Sequence, residues 1–530
     1  MQRISLVLFL SLAGIISASA VPSPKLVVAI VVDQLRCDYL ERFHDQFTTN
    51  GFRLLMERGA FMTAAHYDYQ PTSTAPGHAT ILSGAPPAVH GVIGNDWFDK
   101  RARRARYCVE DTSVEGVGVK GASGQRSPKN FIGSNLADQM RLHFRSRVVG
   151  ISMKDRGAIL PAGKRPLGAY WFDSKSGGFA TSTYYHPALP EWVSEFNGRG
   201  RVQELEKQTW ERLLPESAYT WRDETEGEGT LGKEKKPTFP HRVVGDVTTS
   251  PFGNQLLIEF ALAAIKGEKL GEADRPDLLC VSFSSNDYVG HRFGPHSQEV
   301  QDVTLRLDRQ LNEFFNALHE RIGLENVMIQ LTADHGVAPN PEFALANGLD
   351  GGRLNEGELM LDLLTKLSAR FGPGKFFLSP KFNDGQLFFD HDELAKLGLS
   401  EGSLGAFIRE WALDTGSFHA VYTRGQLLEG RAPGRIGAKI LNGYNGERSG
   451  DVIMVTKPFL IPSKAKSGTT HGSPWAYDSH VPVLFFGGAF VPGRYADTFN
   501  VTDIAPTLAA ALRIVSPSGS IGNVFTPILR

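Results

Sequence analysis

The sequence predicts an α/β fold with a doubly wound, mostly parallel central sheet, helices on both faces and inserted cap regions. Four near-continuous apolar runs, rich in β-branched residues, have the pattern of strands buried on both faces of a parallel sheet. Helical stretches lie between them, and this alternation is typical of doubly wound folds. Acidic residues follow the first three runs, at the sheet edge where such folds bind ligands. The runs are residues 25–32, 277–284, 326–332 and 481–486, and the helical stretches include 38–58, 252–266 and 298–320.

Length and composition indicate a large globular protein. The chain has 530 residues, of which 41% are hydrophobic and 21% charged, a balance that excludes wholesale disorder and a multi-span membrane protein. Its net charge is −1, so no global basic field exists to hold a nucleic-acid backbone. We therefore expect no obligatory nucleic-acid partner, and we expect a monomer.

Residues 1–20 have the pattern of a cleaved export signal. Arg3 provides the positive start, residues 6–16 form a short apolar run, and Ala18-Ser19-Ala20 matches a small-residue cleavage site. Because the run is too short for a comfortable membrane span, export to the periplasm or the medium is favoured over a retained membrane anchor. The catalytic domain is then residues 21–530, with no membrane span after signal removal.

Two long regions, residues 97–247 and 338–450, interrupt the alternation of strands and helices. We interpret both as insertions on one core, not as separate folding domains. The three cysteines, Cys37, Cys108 and Cys280, are too few for a disulfide framework. Whether Cys37 and Cys108 pair is left open by the sequence.

The segment PTSTAPGH places the hydroxyl of Thr74 at the start of a predicted helix, residues 75–82. One interpretation is that Thr74 merely caps this helix. The other is that the hydroxyl, at a helix N-terminus where anions bind, is a nucleophile whose pKa a metal ion lowers. Taken alone, the segment favours the cap.

Four further motifs carry residues of the types that bind metal ions. Each is common by itself, but most lie at or near strand ends of one predicted sheet and could meet at one rim. Mixed ligation by carboxylates and imidazoles suits Zn²⁺, and the number of ligands fits two ions. Two divalent ions about 4 Å apart are a standard clamp for phosphoryl transfer. The candidate ligands are Asp33, Asp287, His291, Asp334, His335 and His471.

Seven separated blocks together resemble the alkaline phosphatase superfamily. The resemblance is strongest to its exported, single-chain bacterial phosphatases that use a threonine nucleophile. It implies an alkaline phosphatase-like fold and a zinc-dependent phosphomonoesterase that acts on small-molecule phosphate monoesters. In chain order from residue 31 to 482, the blocks are VVDQLRCDYL, PTSTAPGHATILSG, GNDW, SMKDRGA, SFSSNDYVGHRFGP, LTADHG and THGSPWAYDSHVP.

The resemblance also assigns roles residue by residue. Thr74 becomes a phosphothreonine during turnover and is a metal ligand through its oxygen. Asn95, Lys154 and Arg156 match the residues that bind the phosphate oxygens, and the fixed charge of Lys154 argues against a third ion. The implied zinc ligands are Asp287, His291 and His471 on the leaving-group side, and Asp33, Asp334 and His335 with the Thr74 oxygen on the other.

Several alternatives remain beside the phosphomonoesterase. A nucleotide pyrophosphatase or phosphodiesterase shares the fold and the metal ligands, but a diester presents less charge to a Lys–Arg pair. A sulfatase is disfavoured because its Cys-x-Pro-x-Arg segment is absent, and a cofactor-independent mutase is disfavoured by the export signal. Nothing in the sequence supports an inactive binding protein.

Other polar residues near the motifs receive secondary roles. His480 is a rival to His471 as a metal ligand. Asp155 is expected to point away from the site and tether a neighbour. Four other histidines are interpreted as packing or supporting groups: His66, His78, His90 and His296.

Overall fold

The structure is a computed structural model that describes residues 22–530. The predicted export signal at residues 1–20 lies outside the described residues. Within residues 22–530 the chain alternates between strands and helices, with its longest strands and helices in the regions that the sequence predicts.

The strands are short except in the centre of the main sheet, where they reach seven residues. In chain order they are β1 (Leu26–Val32), β2 (Ala60–Met62), β3 (Ala65–His66), β4 (Asp96–Asp99), β5 (Arg104–Tyr107), β6 (Gly116–Val117), β7 (Val148–Ser152), β8 (Gly168–Asp173), β9 (Gly178–Ser182), β10 (Thr209–Trp210), β11 (His241–Arg242), β12 (Asp277–Phe283), β13 (Val327–Thr332), β14 (Gly352–Leu354), β15 (Gln386–Leu387), β16 (Phe418–Thr423), β17 (Val452–Thr456), β18 (Leu460–Pro462), β19 (Val483–Phe486), β20 (Gly493–Tyr495) and β21 (Phe499–Asn500).

The helices range from single turns to a 25-residue element. In chain order they are α1 (Cys37–Arg42), α2 (Phe52–Arg58), α3 (Thr74–Ser83), α4 (Pro87–His90), α5 (Leu136–Phe144), α6 (Asp155–Ala162), α7 (Glu191–Asn197), α8 (Arg201–Leu205), α9 (Pro251–Gly267), α10 (Ser285–Phe293), α11 (Gln298–Ile322), α12 (Pro341–Ala346), α13 (Glu356–Phe371), α14 (His391–Lys396), α15 (Glu401–Asp414), α16 (Arg424–Leu428), α17 (Gly434–Gly443), α18 (Ala476–Ser479) and α19 (Ile504–Ala511).

A ten-stranded sheet forms the core, in the order β20-β2-β19-β13-β1-β12-β7-β8-β9-β6. Its five central strands, from β13 to β8, run parallel, and antiparallel strands flank them. Because parallel neighbours end at the same edge, the residues that follow β1, β7, β12 and β13 are brought together. This edge positions the site described below.

Helices cover both faces of the sheet, as the predicted fold class requires. On β8, the side chains of Ala169 and Trp171 pack in one buried cluster with Ala75 of α3 and Ile159 of α6. The alternate residue Tyr170 instead contacts the ring of Phe260 on α9, with ring centroids 6.0 Å apart. Because successive side chains of a strand point to opposite faces, α6 and α9 lie on opposite sides of the sheet.

Two elements differ from the sequence-based prediction. The apolar run at residues 481–486 forms β19 and is buried, but it pairs antiparallel with β13. The stretch at residues 38–58 is not one helix but α1 and α2. Asp308 of α11 accepts hydrogen bonds from the backbone N–H groups of Thr48 and Phe52, at 2.6 and 2.8 Å, and so stabilises a new helix start there.

The two predicted insertions relate differently to the core. Residues 97–247 supply four strands of the main sheet, β6 to β9, so this region is partly core and not a simple addition to it. The three-stranded sheet β15-β17-β16 lies mainly within residues 338–450 and extends beyond them to β17. It packs with α13 and α15 around a separate hydrophobic cluster that includes Leu363 and Trp411.

All three cysteines are buried and free, so the open question of a Cys37–Cys108 bridge is answered against pairing. Among residues 22–530, no helix combines the length and the apolar character needed to cross a membrane.

Candidate active site

Six predicted ligand residues meet at the carboxyl edge of the central strands as two groups of three. Asp33 follows β1, Asp334 and His335 follow β13, and these three residues are termed the closed trio. Asp287 and His291 lie one turn apart on α10, after β12, and join His471 from the loop before α18; these three are termed the open trio. Within each trio, the potential ligand atoms lie within 4.8 Å of one another.

The closed trio is completely shielded from solvent, with no exposed surface on any of its three side chains. His335 Nε2 lies 3.5 Å from a carboxylate oxygen of Asp33 and 3.5 Å from one of Asp334. Among the described residues, Asp33 Oδ1, Asp334 Oδ2 and His335 Nε2 are buried without a hydrogen-bond partner. Buried polar atoms are rarely left unpaired, so this donor set fits a bound cation.

The open trio is partly exposed to solvent. His291 Nε2 lies 3.2 Å from Asp287 Oδ1, and His471 Nε2 lies 3.8 Å from the same oxygen. The side chain of His291 is 34% exposed, that of His471 8%, and that of Asp287 3%. This arrangement of one carboxylate and two imidazoles suits a divalent metal ion that remains accessible from one side.

Backbone carbonyls fix the tautomer of all three trio histidines. Nδ1 of His291 faces the carbonyl of Thr469 at 2.8 Å, and Nδ1 of His335 faces that of Gly336 at 2.9 Å. Nδ1 of His471 faces the carbonyl of Thr72 at 2.8 Å. Because a carbonyl can only accept, each Nδ1 carries a proton, and Nε2 is the ring nitrogen that faces the carboxylates and can bind a metal ion.

Lys154, at the start of α6 after β7, links the two trios. Its ammonium donates to Asp33 Oδ2 at 2.7 Å and to Asp287 Oδ2 at 2.5 Å. Although burial opposes the charge, Asp287 and Asp33 raise the pKa of Lys154 above its ordinary value. The single ammonium of Lys154 therefore lies among the buried carboxylates of Asp33, Asp287 and Asp334.

The pKa values of Asp33 and Asp287 are shifted in opposite directions. Burial raises the pKa of Asp33, the charges of Asp287 and Asp334 raise it further, and Lys154 offsets this only partly. Burial also acts to raise the pKa of Asp287, but His291 and Lys154 hold it well below the usual range. Buried carboxylates that repel one another need more positive charge than Lys154 supplies, which two cations would provide.

Thr74 is the first residue of α3, and the backbone of this helix packs directly on the closed trio. The N-cap is Ser73, so the interpretation of Thr74 as merely the cap is wrong. A Cβ on Gly77 would overlap the carbonyl oxygen of Asp334, which explains the glycine in this segment. His78 is fully buried and bonds the Thr74 carbonyl at 2.8 Å and the Ser282 hydroxyl at 2.7 Å.

The predicted phosphate-binding side chains lie around Thr74. Arg156 Nη2 reaches the hydroxyl of Thr74 at 3.5 Å. Asn95 Oδ1 accepts from the Ala75 N–H at 2.9 Å, which leaves the amide NH₂ of Asn95 as a donor. Arg156 and Asn95 thus place hydrogen-bond donors beside the hydroxyl, and Lys154 lies between the two trios.

A network that the sequence-based prediction missed holds Arg156 in place. Arg156 Nη1 donates to the Tyr107 hydroxyl at 3.0 Å, and that hydroxyl donates to Asp155 at 2.5 Å. Asp155 also accepts from Arg126 Nε at 2.6 Å, in line with the prediction that it tethers a neighbour. Tyr107 and Arg126 carried no sequence signal, because a tyrosine and an arginine in a loop-rich region match no ligand pattern.

Gln34 is a third residue of the site that the sequence-based prediction did not single out. Its side-chain NH₂ donates to Asp287 at 2.6 Å and its backbone N–H donates to Asp334 at 3.1 Å, so it contacts both trios. Its φ is +67°, a left-handed conformation that costs a non-glycine residue about 1–3 kcal/mol and clusters at functional sites.

The remaining histidines lie outside the two trios. His480, the rival to His471, stacks on His66 with centroids 4.5 Å apart, and its Nε2 faces the carbonyl of Thr63. His90 bonds Thr80 at 3.1 Å, and His296 stacks on Phe343. These contacts are those of packing groups.

The chain matches a protein-family model over most of its length. The family model described as type I phosphodiesterase / nucleotide pyrophosphatase covers residues 27–474. This range contains all the trio residues as well as Thr74, Asn95, Lys154 and Arg156.

Curated relatives match over nearly the whole chain. Alkaline phosphatase PafA of Elizabethkingia meningoseptica is 40% identical over 97% of this chain and 96% of its own length. Alkaline phosphatase PhoV of Synechococcus elongatus is 40% identical over 96% of this chain and 94% of its own. A protein of Myroides odoratus named calcium-transporting ATPase is 38% identical over 97% and 96%, respectively.

A solved structure has the same fold over almost the same length. The crystal structure of wild-type alkaline phosphatase PafA superposes with a TM-score of 0.92 at 40% identity, covering 96% of this chain and all of that one. A second crystal structure of PafA, with a TM-score of 0.91 and 39% identity over the same shares, carries four substitutions, of a threonine, an asparagine, a lysine and an arginine. These are the residue types of Thr74, Asn95, Lys154 and Arg156, in the same chain order.

Proposed function

Because the chain belongs to the type I phosphodiesterase / nucleotide pyrophosphatase family, within the alkaline phosphatase superfamily, we propose that it hydrolyses phosphate monoesters to an alcohol and inorganic phosphate. It is an enzyme, an alkaline phosphatase, as its relatives of 40% identity over nearly the whole chain are. The observation that carries the monoester assignment is a pair of cations, Arg156 beside Thr74 and Lys154 between the two trios.

Thr74 is the nucleophile of this proposal. Its deprotonated Oγ1 attacks phosphorus, the bond from phosphorus to the alcohol oxygen breaks, and a phosphothreonine forms. Water then attacks the same phosphorus, the bond to Thr74 Oγ1 breaks, and inorganic phosphate leaves. The position of Thr74 at the N-terminus of α3 supports this role, since helix N–H groups there favour negative charge.

Two Zn²⁺ ions are the proposed cofactors, one in each trio. Asp33, Asp334 and His335, with the Thr74 oxygen, would hold one, and Asp287, His291 and His471 would hold the other. When bound, such ions lower the pKa of a hydroxyl and stabilise the charge on a leaving oxygen. The unpaired buried atoms of the closed trio and the fixed tautomers of the three histidines support this assignment.

Arg156, Lys154 and the amide of Asn95 would bind the non-bridging oxygens of the phosphoryl group. The fork of Arg156 can engage two oxygens, and the Tyr107–Asp155 network fixes its orientation. Gln34 acts as a positioning residue, because it holds Asp287 and the Asp334 side of the site together.

The same proposal includes the predicted organisation of the protein. Residues 1–20 direct export to the periplasm or the medium, and residues 21–530 form one catalytic unit, in which residues 97–247 supply four strands of the main sheet and residues 338–450 contain most of the three-stranded sheet. The unit acts as a monomer.

The second candidate is a phosphodiesterase, which the name of the matching family model favours. The two functions differ in the charge of the substrate. A monoester dianion offers more charge to Lys154 and Arg156 than a singly charged diester does.

Substitution of both cations separates these functions. The variant Lys154→Ala/Arg156→Ala should lose far more kcat/KM on p-nitrophenyl phosphate than on bis-p-nitrophenyl phosphate. A charge-assisted contact contributes about 1.5–3 kcal/mol, so each loss should cost roughly tenfold or more. The variant Lys236→Ala/Arg435→Ala removes two exposed cations and serves as the matched control. An equal fall on both substrates would place the phosphodiesterase ahead.

A further inference from the structure

A cavity that opens to solvent lies beside the open trio. Its lining includes His471 on one side and residues of the region after β13 on the other. Across the cavity, Asp384 comes close to the loop before Asn95, since a Cβ on Gly94 would lie 3.0 Å from Asp384 Oδ2. The cavity is therefore bounded by a candidate metal ligand and by the neighbourhood of a candidate phosphate-binding residue.

The walls of the cavity are largely apolar. Leu359 on α13, Phe382 and Phe418 line it, and these side chains belong to the hydrophobic cluster around α13 and α15 or pack against it. Because these wall residues belong to a packed cluster or contact it, the shape of the cavity is defined by the fold. An apolar cavity with a few polar groups is the usual form of a small-molecule site.

Acidic side chains are among the residues that line the cavity. Glu356 and Asp384 line the cavity, and desolvation together with the charges of Asp96 and Glu356 raises the pKa of Asp384 to about 7, so Asp384 is ionised above neutral pH. Lys464 partly offsets Glu356, but it does not line the cavity. An anionic group entering here meets repulsion, while a neutral or cationic one does not.

We propose that this cavity receives the alcohol part of the substrate and selects monoesters whose alcohol is bulky, apolar and free of negative charge. The inference rests on the proposed function, since it places the phosphoryl group between the trios and Thr74. The alcohol then extends past His471, on the side that the resemblance assigns to the leaving group. Leu359 supplies contact area, and Glu356 and Asp384 supply the discrimination by charge.

Two tryptophan variants on α13 test whether the alcohol contacts Leu359. Leu359→Trp narrows the cavity, whereas Leu361→Trp places the same side chain two residues along α13 at a position that is 67% exposed. We expect Leu359→Trp to lower kcat/KM for 4-tert-butylphenyl phosphate by roughly tenfold or more, and to change that for methyl phosphate by less than about twofold. Leu361→Trp should change neither.

Two double variants that remove negative charge test independently whether the cavity discriminates alcohols by charge. This test remains informative if Leu359→Trp does not fold. The probes are phenyl phosphates that carry a para carboxylate or a para trimethylammonium group. Glu356→Gln/Asp384→Asn should raise kcat/KM of the carboxylate probe relative to the trimethylammonium probe by roughly tenfold. The exposed pair Glu358→Gln/Asp392→Asn makes the same change of net charge and should leave this ratio unchanged.

The outcomes distinguish this inference from the function on which it rests. A wild-type enzyme that hydrolyses no monoester would overturn the proposed function. The cavity assignment alone would be overturned if the wild-type enzyme hydrolysed all probes and each variant changed kcat/KM by the same factor for every probe.

Discussion

The closed trio and the open trio contain similar ligands but differ in their access to solvent. Asp33, Asp334 and His335 have no exposed surface, whereas His291 is 34% exposed and His471 lies at the border of a cavity. The closed trio is built from residues that directly follow two neighbouring parallel strands, β1 and β13. The open trio combines a helix after β12 with a loop that comes from far along the chain.

This difference matches two tasks that the proposed mechanism assigns to the site. In that mechanism, the group beside Thr74 must keep its geometry through every turnover, and burial against the sheet provides this rigidity. The group on the proposed leaving side must admit an alcohol and release it, and exposure on one side provides this access. The following predictions test whether the two trios have these separate roles.

The largest effect is expected from a change that alters neither trio. Thr74→Ala should lower kcat by about three orders of magnitude or more while both ions stay bound, because the ligand atoms of the two trios remain. The measurement is turnover of p-nitrophenyl phosphate together with metal content. Thr74→Ser keeps a hydroxyl and should retain part of the activity. Near-wild-type turnover by Thr74→Ala would rule out the covalent mechanism.

The second prediction breaks the open trio alone. His471→Ala should lower the zinc content from about two ions per chain to about one and reduce activity by roughly a hundredfold, since it removes one of only three protein ligands. His480→Ala is the control, because this ring stacks on His66 and faces a backbone carbonyl. A greater loss of zinc in His480→Ala would show that the wrong histidine had been assigned.

The third and smallest effect is a difference between the two trios in the rate at which they release their metal ion. On addition of a chelator, one ion should leave with the rapid loss of activity, and the other should leave at least about tenfold more slowly, because the closed trio must open locally before its ion escapes. Zinc content followed over time, with activity measured in parallel, checks this, and added Zn²⁺ should restore activity. Loss of both ions in one phase would remove the distinction between the trios.

Much of the site could be predicted because its residues are local to strand ends. The runs before Asp33, Asp287 and Asp334 have a strong apolar pattern, and parallel strands that end together bring their following residues together. The choice of His471 over His480 agrees with the geometry, because only His471 joins the trio groups.

Other features depend on contacts that no local pattern records. The direction of β19 is set by its partner β13, and the break between α1 and α2 is set by Asp308, more than 250 residues away. The strained backbone of Gln34 and the bonds of Tyr107 to Arg156 arise only once the chain is folded.

The assembly of both trios at strand ends that are distant in sequence links catalysis to the folding order of the chain. The pairing of β1 with β12 and β13 joins residues about 250 to 300 positions apart. Such non-local pairing closes large loops and is slow to form, so the unfolded chain offers no preassembled set of ligands. Cations held by the two trios as proposed bind the folded form preferentially, and we expect free cation to raise the stability of the whole enzyme by mass action.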